Sequence, residues 1–172
     1  GVQGGIGNAG AITIQAQSLS LDNYSLITTA TLGRGNAADI SIQVDDFLNL
    51  TNLSSIESIV GAGAIGNSGN IDLKARSLTL TNGSQIATLL TRESSALNLP
   101  GGFGKAGNIN INISDFVNIS GVSQVQLPIE PRLFPTEGFS SGLLASSERG
   151  ASGDGGRITL TTNALYLADG AV

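Results

Sequence analysis

The sequence predicts an all-β chain: a right-handed parallel β-helix (a β-solenoid) of about five coils, interrupted by two loop insertions. Three observations predict it. The pattern G-x-x-G/A-x-I-x-I/L occurs five times, starting at Gly7, Gly35, Gly66, Gly104 and Gly153. Within each copy apolar residues alternate with polar ones, the two-residue period of a strand, in short runs broken by small or polar residues. The apolar slots also stay aligned, although successive starts lie 28, 31, 38 and 49 residues apart. A β-sandwich has many short strands too, but it predicts hairpin turns and no register between distant segments. A coil of 28 or 31 residues with three short strands cannot bury its inward face alone, so coils must stack. Stacked coils are parallel strands about 4.8 Å apart, and five of them make a rod roughly 20–25 Å long. Parallel crossovers are right-handed, which sets the hand.

The coils follow in order. The first, "GNAGAITIQAQSLSLDNYSLITT", turns Ile12, Ile14, Ala16, Leu19, Leu21 and Ile27 inward. The second does so with Ile40, Ile42, Val44, Phe47, Leu50 and Ile56. The third, "GNSGNIDLKARSLTLTNGSQIAT", is the most regular, with Ile71, Leu73, Ala75, Leu78, Leu80 and Ile86. The fourth uses Ile109, Ile111, Ile113, Phe116, Ile119 and Val125. The fifth has Ile158, Leu160, Leu165 and Leu167, carries Thr162 in the third slot and ends before the last. The second and fourth read "DFLNL" and "DFVNI" where the others read "SLSL", "SLTL" and "ALYL". That extra residue predicts a small β-bulge.

Two polar rows run across the copies. Asn8, Asn36 and Asn67 follow the first glycine, with Lys105 and Asp154 in the later copies. Asn23, Asn52 and Asn82 follow the second apolar pair, continued by Gly121 and Asp169. Asn tolerates left-handed turns, and identical Asn side chains can pair as ladders along stacked strands. The insertions fall at 89–103 and 126–151. The second holds three of the four prolines, and a short helix is expected near 141–149. As a side loop it should be removable: deletion of 128–149 is expected to leave the repeats folded.

Composition narrows the function. Eight Lys and Arg stand against 13 Asp and Glu, a net charge of −5, which argues against binding phosphate backbones or anionic membrane surfaces. The chain has neither Cys nor His, which removes disulfides, thiolate metal sites and the usual general base. Aromatic residues are only 4%, so the core must be aliphatic and thin. No apolar run approaches the ~18 residues of a membrane-spanning helix. The chain lacks Met and starts on "GVQGGIGNAG", and residues 1–172 are read as a single fragment of a larger protein.

The repeats "GNAGAITIQAQSLSLDNYSLITT" and "GNSGNIDLKARSLTLTNGSQIAT" resemble the repeat region of large filamentous-haemagglutinin-like exoproteins, and most closely those of the cyanobacterial haemagglutination-activity-domain type. The resemblance covers nearly the whole chain outside the insertions. It implies a right-handed parallel β-helix, export by two-partner secretion through an outer-membrane transporter, and an extracellular or cell-surface location. The family's secretion domain carries Asn-Pro-rich motifs, which this chain lacks, so it matches the downstream shaft.

Candidate sites are few. Asp45 and Asp46 are adjacent carboxylates at a break between strands, and only Asp46 and Asp115 share a slot, two coils apart with Ser77 between them. That spacing of about 10 Å lies beyond an inverting acid/base pair, so a turn role fits better. "GDGG" at Gly153 lacks the tandem nonapeptide of a calcium β-roll. "GAGAIG" (61–66) and "GGFG" (101–104) lack the Lys-Ser/Thr or helix start of a phosphate loop and read as turns. "NGS", "NLT", "NLS", "NYS" and "NIS" fit glycosylation acceptors but fall in turn slots and strand edges. Binding residues tend to sit on loops leaving a rigid scaffold. The second insertion therefore supplies the candidate partner-binding residues Arg132, Phe134, Glu137 and Phe139. No catalytic residue, cofactor or metal site is expected.

The expected function is a non-enzymatic structural and adhesive shaft segment of a haemagglutinin-like adhesin. Its partners would be adjacent repeats of the same polypeptide and surface glycans or cell receptors, with no nucleic acid and no membrane insertion. The alternative is a carbohydrate-binding or carbohydrate-active β-helix.

Overall fold

The structure is a computed structural model and describes residues 5–123 and 138–172. Among them there is no helix; the chain is all-β. The first repeat forms β1 (Ile12–Ala16), β2 (Leu19–Leu21) and β3 (Leu26–Thr31). The second forms β4 (Ile40–Val44), β5 (Phe47–Leu50) and β6 (Ser55–Val60). In the third, the first two strands fuse into β7 (Ile71–Thr81), followed by β8 (Gln85–Leu90). After β9 (Phe103–Lys105), the fourth fuses likewise into β10 (Ile109–Ser120), followed by β11 (Gly142–Ser147). β12 (Ser152–Asp154), β13 (Ile158–Thr161) and β14 (Ala164–Ala168) complete the chain.

Every pairing between these strands is parallel and joins one repeat to the next. One sheet of eight strands runs β1-β4-β7-β10-β13, with β2, β5 and β14 beside that path. A second sheet of four runs β3-β6-β8-β11, and β9 pairs with β12. The repeats thus appear in the same order in both large sheets, and distant segments are held in register, which a sandwich of hairpins does not provide. The pairs Ile12–Ile40, Ile40–Ile71, Ile71–Ile109 and Ile109–Ile158 carry one apolar slot through all five repeats.

Alternation follows from the pleat, which points successive side chains to opposite faces. In β4, β7 and β10 the Ile, Leu, Val and Ala positions are buried and the Ser, Asp, Gln, Lys and Asn positions are exposed or half-buried. The core is aliphatic: Ile40, Leu50, Ile56, Ile71, Leu78, Leu80, Ile86 and Ile109 have no exposure at all. Each such side chain contributes about 1.5–3 kcal/mol of burial. A hydroxyl row lies inside the second sheet. Thr29 Oγ1 donates to the Ala38 carbonyl at 2.6 Å, Ser58 Oγ accepts the Gly69 N–H at 2.7 Å, and Thr88 Oγ1 donates to the Gly107 carbonyl at 2.6 Å. These hydroxyls satisfy buried backbone groups of the glycine-containing turns opposite, where an unpaired group would cost about 1–3 kcal/mol.

The first polar row forms a ladder, and the second pairs its amides at a single step. The Asn36 N–H donates to Asn8 Oδ1 at 2.8 Å, Asn67 N–H to Asn36 Oδ1 at 2.9 Å, and Lys105 N–H to Asn67 Oδ1 at 3.0 Å. In the second row Asn23, Asn52, Asn82, Gly121 and Asp169 all have positive φ, between 53° and 82°. Asn82 Nδ2 donates to Asn52 Oδ1 at 3.0 Å, whereas Asn52 Nδ2 turns to Asp22 Oδ1 at 2.8 Å. A third row, Asp39, Asn70 and Asn108, repeats the first ladder's bonding, with Arg157 N–H as its last donor.

Five expectations are corrected. The extra residue precedes Phe47 and Phe116: both pair with Ser77, and β10 shifts register between Ile113 and Phe116. Leu48 and Val117, not the phenylalanines, therefore occupy the inner slot with Leu19 and Leu78. In the fourth repeat, Leu143 rather than Val125 pairs with Ile86. Residues 142–147 are accordingly the repeat's own strand β11, so the second interruption lies between β10 and β11 and does not extend to 151. The helix expected at 141–149 is this strand, held on its parallel edge by β8. The first interruption is also shorter than 89–103, since Leu89, Leu90 and Phe103 belong to β8 and β9.

Candidate functional site

Of the proposed loop residues, Phe139 is described; Arg132, Phe134 and Glu137 lie outside the described residues. The chain returns toward the second sheet through a short antiparallel bridge between Val122 and Ser140, and Ser123 N–H donates to the Phe139 carbonyl at 2.8 Å. Gln85 Nε2 on β8 donates to the Ser140 carbonyl at 3.0 Å. Phe139 is thereby set against the corner where the polar Asn23-Asn52-Asn82 row runs.

At that corner Phe139 lines an open hollow of about 200 Å³ with Tyr24, Leu53, Ser55, Glu57 and Gln85. Its floor is Gly83, where a Cβ would come within 2.7 Å of the Phe139 carbonyl oxygen and 2.6 Å of Ser123 Cβ. The equivalent corners have the form Asn-Gly (82–83) and Asp-Gly (169–170), with both residues at positive φ. Tyr24 and Leu53 take the second position of the same corner at φ 62° and 61°. A bulky residue there is strained by about 1–3 kcal/mol. Sequence reading missed this hollow because its residues come from four separated segments; the only signal was Tyr or Leu after Asn where the third and fifth copies have Gly.

The second concavity lies on the outer face of the first large sheet and encloses about 300 Å³. Ser41, Gln43, Asp72, Lys74, Asn110 and Asn112 line it in two columns across successive strands. Asn110 Nδ2 donates to Asp72 Oδ1 at 2.8 Å, tying two strands together on the outside. This face carries alternating amides, hydroxyls and one charge of each sign.

Asp46 and Asp115 are kept apart by a neighbouring strand. The bulge places Arg76, rather than Ser77, between Asp46 and Asp115, and Arg76 forms an ion pair with Asp46. Their side chains are 61% and 33% exposed, so the pair is worth little. The "GDGG" stretch begins in strand β12 rather than in a turn, and there Asp154 pairs with Lys105 of β9, its carboxylate 3.7 Å from Nζ. Among the described residues no three of Asp, Glu, His and Cys are grouped to hold a metal. The 61–66 glycines form a turn: Gly63 N–H donates to the Pro100 carbonyl at 2.7 Å and Ala64 N–H to the Gly61 carbonyl at 3.0 Å. In the first interruption Ser94 and Leu99 exchange backbone hydrogen bonds, and Arg92 N–H reaches Glu148 Oε2 at 2.9 Å. That loop is thus fastened to the turn of the next repeat.

Comparison of the chain with family models, with curated proteins and with solved structures gives no match.

Proposed function

We propose that the chain is a right-handed parallel β-helical shaft segment of a large secreted or surface-exposed, haemagglutinin-like adhesin, acting as a stiff spacer without catalysis. The observation that carries this reading is the repeat-to-repeat register. One apolar slot is paired through all five repeats, and each polar ladder ties a repeat to its neighbour. Parallel stacking of this kind puts backbone hydrogen bonds along the direction of load and leaves few ways to bend. Ile158, Leu165 and Leu167 are 40%, 47% and 57% exposed in slots that are buried in the inner repeats, an apolar surface that a stacked repeat would cover. The resemblance of the repeats to two-partner-secreted exoproteins supports an outer-membrane transporter as partner and a surface location.

The test is surface labelling. Antibodies raised against the chain should stain intact cells of the source organism, and protease added outside should remove the stain. Staining that needs permeabilised cells would contradict the reading.

A further inference from the structure

We propose that the hollow at the Asn-turn corner binds one ring of a neutral glycan. Sugar rings present an apolar face of C–H groups and a rim of hydroxyls. A site for them needs flat apolar surface on one side and short polar groups on the other. Tyr24 and Phe139 supply rings, and Leu53 adds apolar wall. Glu57 and Ser55 can pair with hydroxyls, and the Gln85 amide is fixed in orientation by its bond to the Ser140 carbonyl. Among the described residues no Lys or Arg lines the hollow, and Glu57 disfavours an anionic sugar, so the ligand class is neutral rather than uronic.

The backbone gives an independent reason. In the third and fifth repeats the second position of this corner is Gly, after Asn82 and after Asp169, yet Tyr24 and Leu53 hold the same left-handed conformation with large side chains. Both strained residues lie in the wall of the same hollow, and Tyr24 is 53% exposed, so core burial does not account for its ring. A bulky residue kept in a strained conformation beside a hollow is the arrangement expected of a binding group. The inference rests on this corner alone and not on the adhesin reading; its failure leaves the shaft reading standing.

The experiment is saturation-transfer NMR on the full chain with cellotetraose, mannotetraose and N-acetyllactosamine as neutral probes, and tetragalacturonate as the anionic one. Transfer is expected to the ring protons of a neutral probe. Tyr24→Gly and Phe139→Ala should each weaken it roughly tenfold, the loss of one ring contact. Tyr24→Phe should retain it. Tyr24→Gly should raise rather than lower the thermal midpoint, because it relieves the backbone, so loss of binding there is not loss of fold. The proposal is overturned by absence of transfer from all neutral probes, by transfer that Tyr24→Gly leaves unchanged, or by preference for tetragalacturonate.

Discussion

At the scale of the residue, close approach between repeats decides what a position tolerates. Gly10 and Gly69 occupy the same slot in the first and third repeats. A Cβ on Gly10 meets nothing within 4 Å, whereas one on Gly69 would overlap the Ala38 carbonyl of the preceding repeat. Gly69→Ala should therefore destabilise the chain by about 1–3 kcal/mol, while Gly10→Ala should stay within ~0.5 kcal/mol. Urea melts of the two variants check this; equal effects would show that the repeats are not stacked at this contact. The same reasoning separates the ladders from ordinary surface polarity. Asn67 accepts the Lys105 N–H across the repeat boundary at 3.0 Å, so its amide carries register as well as solubility.

At the scale of the element, the strands were legible wherever alternation met a polar neighbour. Ile71, Leu73 and Ala75 alternate with Asp72, Lys74 and Arg76, and only one register buries the first set. The bulge was not legible in detail, because "DFLNL" offers two adjacent apolar residues and alternation alone does not choose between Phe47 and Leu48. Pairing with the third repeat decides it: Ser77 takes Phe47, and Leu78 takes Leu48. β11 was missed for a related reason. Val125 stood at the expected distance from Ile119, and the true partner of Ile86, Leu143, lay beyond a long interruption. The third ladder escaped because Ala11 and Arg157 occupy its end positions, leaving Asp39, Asn70 and Asn108 looking like scattered turn residues. The hydroxyls of Thr29, Ser58 and Thr88 escaped because polar residues read as outward-facing until the turn carbonyls they serve are located. The structure also reverses one expectation about the second insertion. Deletion of 128–149 removes β11 and its whole pairing with β8, so it should unfold the second sheet at its fourth strand rather than spare the repeats. Far-UV circular dichroism of that deletion should show a marked loss of strand signal; an unchanged spectrum would mean that β11 is dispensable.

At the scale of the whole molecule, the chain is a ladder of near-identical units whose stability comes from contacts between neighbours. Few rings and a thin aliphatic core suffice because each inner repeat is covered by the one before it and the one after it. The exposed Ile158, Leu165 and Leu167 mark where that cover stops in this chain. On the proposed shaft reading, such an object carries tension and holds the Tyr24 corner at a fixed place along it. The most direct test of the central claim is to pull the chain from its two ends in a single-molecule force experiment. The stacked arrangement predicts a saw-tooth extension, with repeats peeling off in steps set by their extended lengths, about 100 Å for the 28- and 31-residue repeats and about 130 and 170 Å for those of 38 and 49 residues. Smooth lengthening at low force, or a single release of the whole chain without steps, would contradict it.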